Sequence, residues 1–180
     1  RARNARLEKL NMVIGIFFTE VGNEMLKRII PNDPESDAFG PDFILQGKKF
    51  LDVKAMQKVV SGHRFHVNHE RISFLELREF LQEKRNFLLR LMENPVMLEH
   101  QSFTSMLQSA FHLTAELGLR EDPVNLTLSD KTHLAGDISR VYCALTYEWV
   151  CYMDYLSRNY PYLYSLAVRT NPFDPGVQVE

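Results

Sequence analysis

The chain is short of cysteine, of charge bias and of long apolar runs, and each shortage removes a class of protein. Only Cys143 and Cys151 occur among 180 residues, so no disulfide framework holds the fold. Both fall in one strongly helical segment, where their spacing sets them about 12 Å apart, beyond the reach of a bridge. Two unpaired thiols fit a reducing cytosol, and small apolar core positions account for them. The net charge is -2, whereas a nucleic-acid binder carries the opposite balance. The longest uncharged apolar run, Met12 to Phe18, falls far short of the roughly 20 residues that a membrane-spanning helix needs. A signal peptide is missing, since the basic start is not followed by an apolar stretch and a small-residue cleavage site. So are a Ser/His/Asp or Cys/His motif in sequence context, a Gly-rich phosphate loop and a helical His-Glu-x-x-His. The balance favours a protein that is not an enzyme.

What is present is enough apolar matter for a core. With 45% hydrophobic and 24% charged residues, the chain reads as one globular domain over 1–180. Its charge is uneven: Arg1, Arg3, Arg6 and Lys9 face only Glu8 in the first ten residues, and the remainder is acidic. A cluster of Arg ahead of a helix is what the cytoplasmic flank of a membrane span carries. The expectation is a membrane anchor upstream of Arg1 and a place at the cytoplasmic face of the inner membrane.

Apolar residues recur at helical spacing along most of the chain. Leu7, Leu10, Ile14, Phe17, Val21 and Leu26 predict a helix that Pro31 ends. Residues 31–47 hold three Pro, two Gly and three Asp, which predicts a long loop. A short helix is predicted from Lys48 to Val60, broken by Gly62. The Ser73-Phe74-Leu75-Glu76 capping box starts a helix that runs to about Glu93. Asn94-Pro95 joins an N-cap to a Pro at the first helical position, so a further helix is expected to begin at once and to stop at Gly118. Ser129 is the expected cap of the longest element, Asp130 to Arg158. A short helix over Tyr162 to Val168 and an irregular tail over 171–180 complete the chain. The fold class is all-α: a bundle of about four long amphipathic helices with one or two short ones.

The segment Tyr160-Pro161-Tyr162-Leu163-Tyr164-Ser165-Leu166-Ala167-Val168-Arg169-Thr170-Asn171-Pro172-Phe173, together with Leu10-Asn11-Met12-Val13-Ile14-Gly15 and Phe17-Phe18-Thr19-Glu20-Val21-Gly22, resembles an uncharacterised family of prokaryotic proteins. The resemblance covers most of the chain. It implies an N-terminal membrane anchor ahead of a helical cytosolic domain, and it supplies no mechanism.

Several residues carry chemistry of their own. His63, His66 and His69 are imidazoles at i, i+3 and i+6, which only an irregular backbone can bring onto one metal ion; a solvated loop accounts for them otherwise. Three pairs have i, i+4 spacing: His66 with Glu70, His112 with Glu116, and His133 with Asp137. Such pairs, aimed inward from different helices, are how bundle metal sites are made. They resemble hemerythrin-like and ferritin-like carboxylate sites but lack both Glu-x-x-His and the run of five His ligands. A core histidine bonded to a neighbouring carboxylate accounts for them without metal. Tyr residues crowd around Trp149, and an aromatic stripe of this kind is core or a ligand pocket, with Trp149, Tyr152 and Arg169 as its candidate contacts. Glu20 is expected to pair with a cation from another helix.

The leading expectation is a non-enzymatic cytosolic helical domain without a cofactor, working through a protein partner or self-association. The alternatives are a bundle metalloprotein holding a transition metal on some of His66, Glu70, His112, Glu116, His133 and Asp137, and a small-ligand sensor with a Tyr/Trp-rich pocket.

Overall fold

Helical spacing governs the chain from its first turn. The computed structural model describes residues 2–177, and among them every regular element is helical. Helix α1 (Ala2–Phe17) buries Leu10, Val13, Ile14 and Phe17, and α2 (Asn23–Ile29) buries Met25, Leu26 and Ile29. The stripe expected to form one helix is therefore two, joined by a π turn at Phe18–Gly22. The five-residue step from Val21 to Leu26 is the trace this wider turn leaves in the sequence. Gly22 is required there, because a Cβ would lie 2.6 Å from Cδ1 of Phe18. Phe18 stacks on Tyr152 of a later helix, with ring centres 5.4 Å apart.

The loop after α2 is tied down at many points. Short 3-10 turns at Ser36–Phe39 and Pro41–Phe43 push Phe39, Phe43 and Leu45 into the core. Gly40 and Gly47 supply positive φ, at 67° and 77°, which other residues rarely adopt. Asn171 Nδ2 donates to the Phe43 carbonyl at 2.8 Å, and Phe173 packs 5.0 Å from Phe43. The C-terminal tail is thus irregular, as expected, but its start is core; 178–180 lie outside the described residues.

Helix α3 (Val53–Gly62) starts later than expected because Asp52 caps it, accepting the Ala55 N–H at 3.1 Å. Helix α4 (Phe74–Glu93) has the expected Ser73 cap. The next helix does not begin at once. Asn94 caps a 3-10 turn over Pro95–Glu99, and α5 (Gln101–Gly118) is capped by His100, whose Nδ1 accepts the Phe103 N–H at 3.1 Å. The cap of α6 (Leu128–Asn159) is Thr127, not Ser129, accepting from Asp130 N at 3.1 Å. Helix α7 (Pro161–Arg169) follows with Pro at its first position.

Helix α5 packs between α4 and α6, and α6 also meets α3 and α7. Trp149 and Tyr142 of α6 are wholly inside. Trp149 lies against Phe43 and Phe173, at 5.9 and 4.7 Å. Cys143 is exposed and Cys151 half-buried, so neither thiol is the core residue expected. Lys84 of α4 meets Glu20 at 3.4 Å, as expected, with Glu20 exposed.

Gly15 of α1 tests the packing against α6. An Ala there gains about 1 kcal/mol of helix propensity, but its Cβ would lie 2.4 Å from the Tyr152 hydroxyl oxygen. The clash wins while stacking on Phe18 holds the ring, so Gly15→Ala is expected to destabilise by about 1–2 kcal/mol in urea unfolding. In a Tyr152→Phe background the nearest atom is a ring carbon at 3.3 Å, and the same change should become neutral or stabilising. A stabilising effect with Tyr152 in place would show that the ring yields.

A candidate metal centre between α5 and α6

The loop over 119–127 turns the chain back, so the second half of α5 lies along the first half of α6. One helical turn separates His112 from Glu116 on α5, and one turn separates His133 from Asp137 on α6. The two pairs therefore face one another across the seam. His112 Nε2 lies 3.7 Å from Glu116 Oε1 and 3.7 Å from Asp137 Oδ2. His133 Nε2 lies 3.7 Å from Glu116 Oε2 and 3.4 Å from the same Asp137 Oδ2. Ligand atoms of His112, Glu116 and Asp137 all fall within 4.8 Å of one another.

Asp137 is the unusual member. It follows Leu134 and precedes Ile138 and Val141, all buried, and is itself 2% exposed. Oδ1 accepts from the Arg140 guanidinium, but Oδ2 is buried with no hydrogen-bond partner. Buried polar atoms are nearly always satisfied, and an unmade bond to one costs about 1–3 kcal/mol. The imidazole nitrogens at 3.4 and 3.7 Å stand too far off to hydrogen-bond well. Those separations match the edges of a metal coordination sphere instead, since a tetrahedral ion with bonds of about 2.0–2.1 Å holds its ligands about 3.3–3.4 Å apart. The imidazoles are half exposed, so one side of the cluster is open to solvent.

Arg120 sets the other carboxylate. Its Nη1 donates to Glu116 Oε2 at 2.5 Å, while Nε and Nη2 grip Asp130 at 3.1 and 2.6 Å. This fork links the end of α5 to the first turn of α6. The guanidinium holds the Glu116 carboxyl below its ordinary value, aided by His112 and His133, and holds Asp130 down likewise.

The remaining sequence candidates do not join this cluster. His66 and Glu70 lie outside any helix, so their spacing does not pair them. His66 Nδ1 stands 3.5 Å from Glu35, whereas Glu70 meets His69 at 3.1 Å and Lys131 at 3.5 Å. The three loop imidazoles do not share one centre: His63 is buried on Asp33, with Nε2 at 2.7 Å from Oδ2, His66 Nδ1 stands 4.0 Å from Oδ1 of the same carboxylate, and His69 turns to Glu70. The ligand trio separates too. Trp149 is core, Tyr152 lines a groove with Met12, Ile16 and Leu163, and Arg169 borders another hollow near Pro172. Sequence reasoning missed Asp33, whose Oδ2 also accepts the Tyr142 hydroxyl at 2.7 Å from 109 residues away, and it missed Arg120 and Arg140. No local signal marks Asp33. Arg120 and Arg140, at i+4 from Glu116 and i+3 from Asp137, were open to the same spacing argument that found the pairs.

An all-α domain with paired imidazoles and carboxylates facing across one helix seam defines a class: a helical domain with a candidate metal site. Residues 6–169 match the family described as "Uncharacterized protein MJ1433, C-terminal helical domain", and the chain belongs to that family. A relative described as "Uncharacterized protein MJ1433", from Methanocaldococcus jannaschii, is 44% identical over 176 residues, covering 97% of this chain and 70% of the relative. No solved structure matches. The resemblance to an uncharacterised family with a helical domain is met.

The Arg120 fork gives an acid-dependent prediction. Glu116 and Asp130 titrate lower in the folded state than their ordinary 4.5 and 3.8. The stabilisation is therefore present at neutral pH and is lost as the pH falls below those values. Arg120→Gln is expected to lower stability at pH 7 by about 1 kcal/mol, with the gap to wild type closing in urea titrations at pH 3. An equal gap at both pH values would assign the loss to packing.

Proposed function

We propose that this domain binds a divalent transition metal ion through His112, Glu116 and Asp137, whose ligand atoms lie within 4.8 Å of one another, with His133 at the edge of the cluster. The observation that carries this reading is the buried, partnerless Oδ2 of Asp137 facing both imidazole nitrogens. Imidazole nitrogen together with two carboxylates suits Zn²⁺, Fe²⁺ or Mn²⁺ more than a hard cation held by oxygen alone. Arg120 and Arg140 orient the carboxylates from behind, as supporting groups do at metal sites. The reading concerns binding; it assigns no reaction.

Titration of chelator-treated, untagged protein with Zn²⁺ tests it. Saturation at one ion per chain is expected, raising Tm by about 5–10 °C at a hundredfold excess over Kd. The affinity should fall in acid, because protons compete with the metal for its ligands. Asp137→Ala and His112→Ala should abolish binding, while His66→Ala should leave it intact. Binding that survives Asp137→Ala would sink the assignment.

A second reading, action by protein contact or self-association, is supported by one surface. Met12 and Ile16 of α1 and Tyr162, Leu163 and Leu166 of α7 are exposed large apolar residues, and Met12, Ile16 and Leu163 line the groove that Tyr152 enters. Scattered apolar residues need no partner, whereas a contiguous set favours one. Light scattering across protein concentration should show association that Leu163→Glu removes; a monomer at all concentrations would leave only a foreign partner. A tether upstream of Arg1, with a place at the cytoplasmic face of the inner membrane, rests on the Arg-rich start. No described helix is long and apolar enough to cross a membrane, and Arg1 lies outside the described residues. Membrane fractionation of the native protein decides the tether.

A further inference from the structure

A second acid of α6 is also buried without a cation. The Glu148 side chain is 3% exposed, and it forms one wall of a cleft of about 610 Å³ between α3, α5 and α6. Ser102, Ser105 and Ser109 of α5 stand along that cleft at i, i+3 and i+7, with Tyr147 beside Glu148 and Met106 and Cys143 as the apolar part of the lining. Burial pushes the Glu148 carboxyl above its ordinary value, and the Ser102 hydroxyl and the nearby His100 act against that shift.

The nearest basic group does not neutralise this acid. His100 Nε2 lies 3.9 Å from Glu148 Oε2, too far for a hydrogen bond. His100 Nδ1 accepts the Phe103 N–H as the cap of α5. A nitrogen that accepts carries no proton, so the ring is neutral while the cap is made. Among the described residues no Lys or Arg reaches within 4.0 Å of Glu148. A buried carboxylate is tolerated when an opposite charge meets it, or when it holds its proton. Here the chain supplies no such charge, and the cleft leaves room for one to enter.

The rest of the cleft is rich in acceptors. The Ser109 hydroxyl proton goes to the main chain, at 2.9 Å from Ser105 O and 3.1 Å from Met106 O, so its oxygen turns lone pairs to the cleft. An ammonium group has three N–H donors and no acceptor, which is the complement of such a lining. A metal ion fits less well. Among the described residues the group of three or more converging His, Cys, Asp or Glu is His112, Glu116 and Asp137, and Glu148 has no such company.

We infer that the α3–α5–α6 cleft binds a small primary alkylamine, with its ammonium group on Glu148, its N–H bonds shared with the Ser102 and Ser109 oxygens, and its alkyl chain along Met106 and Cys143. The site is separate from the α5–α6 metal centre and does not depend on it. Binding brings the ligand's positive charge to the Glu148 carboxyl group, with no covalent bond made or broken. The ammonium arrives and remains protonated.

The test uses the whole chain in EDTA, with n-butylamine, 1,4-diaminobutane and butan-1-ol as probes, read by amide NMR shifts and calorimetry. Both amines are expected to give saturable shifts at Ser102, Ser105, Ser109 and Glu148, and the neutral alcohol to bind at least tenfold more weakly. Glu148→Gln should weaken both amines at least tenfold without lowering Tm, since it removes an unpaired buried acid. Ser109→Val fills the cleft without touching the charge and should weaken them also, and Asp137→Ala should not. No saturable amine shift, equal binding of the alcohol, or amine affinity unchanged in both cleft variants would overturn the inference. Failure here with Zn²⁺ binding intact leaves the metal reading standing, and the reverse outcome separates the two equally well.

Discussion

Helix α6 is enclosed on more sides than its apolar stripe can cover, and the chemistry of the domain follows from that constraint. Its neighbours include α2, α3, α5 and α7, and the loop after α2 closes over Tyr142 and Trp149. A helix of 32 residues in that position buries polar side chains along with apolar ones. Asp137, Thr146 and Glu148 are all inside. Thr146 satisfies itself by donating to the Tyr142 carbonyl one turn back, at 2.8 Å. The Tyr142 hydroxyl finds Asp33, and the bond together with burial holds its proton firmly. Asp137 and Glu148 find less. One keeps a bare oxygen and the other has no Lys or Arg beside it, which is why both proposals rest on them.

Asp33 shows how the same constraint is solved internally. Its carboxylate takes the Tyr142 and His63 protons on Oδ2 and the Glu35 N–H on Oδ1, at 2.7, 2.7 and 2.8 Å. Charge-assisted bonds of this kind are stronger than neutral ones, and here they join the loop to α3's end and to α6. Phe39 stacks on His63 at 4.2 Å, sealing the group from water. An acid with that many donors is structural. The contrast with Asp137, which has a single guanidinium on one oxygen, is what separates a tie from a candidate ligand.

Much of the fold was legible in the sequence because its signals are local. Helical stripes, the Ser73 cap and Pro161 act within one or two turns, and each gave the right kind of element, while Asn94-Pro95 marked the end of α4 but not the start of α5. The misses share a cause. Thr127 and Ser129 are equally good caps on paper, and Leu128 between them is exposed, so no apolar burial marks the true start. His100 is a rare cap, so the 3-10 turn before α5 left no usual mark. Of the candidate ligands, the pairs inside α5 and α6 were readable because the helix itself fixes their spacing. His66 and Glu70 failed because that spacing means nothing outside a helix. Asp33 was out of reach, since its partners are set by the tertiary fold alone.

The i, i+4 rule places two side chains on one face, but it cannot say that two such faces meet. That second step came from topology: a connection of nine residues between α5 and α6 makes them antiparallel neighbours, so the end of one lies beside the start of the other. His112 and Glu116 fall in the last two turns of α5, and His133 and Asp137 in the first three of α6. Pairs that close to a short turn have little choice but to converge. Glu148 lies farther along α6, where the facing residues of α5 are serines rather than imidazoles, and the same antiparallel geometry there brings an acid to hydroxyls instead. The register of one helix pair thus sets imidazoles with carboxylates near the turn and an acid with hydroxyls beyond it.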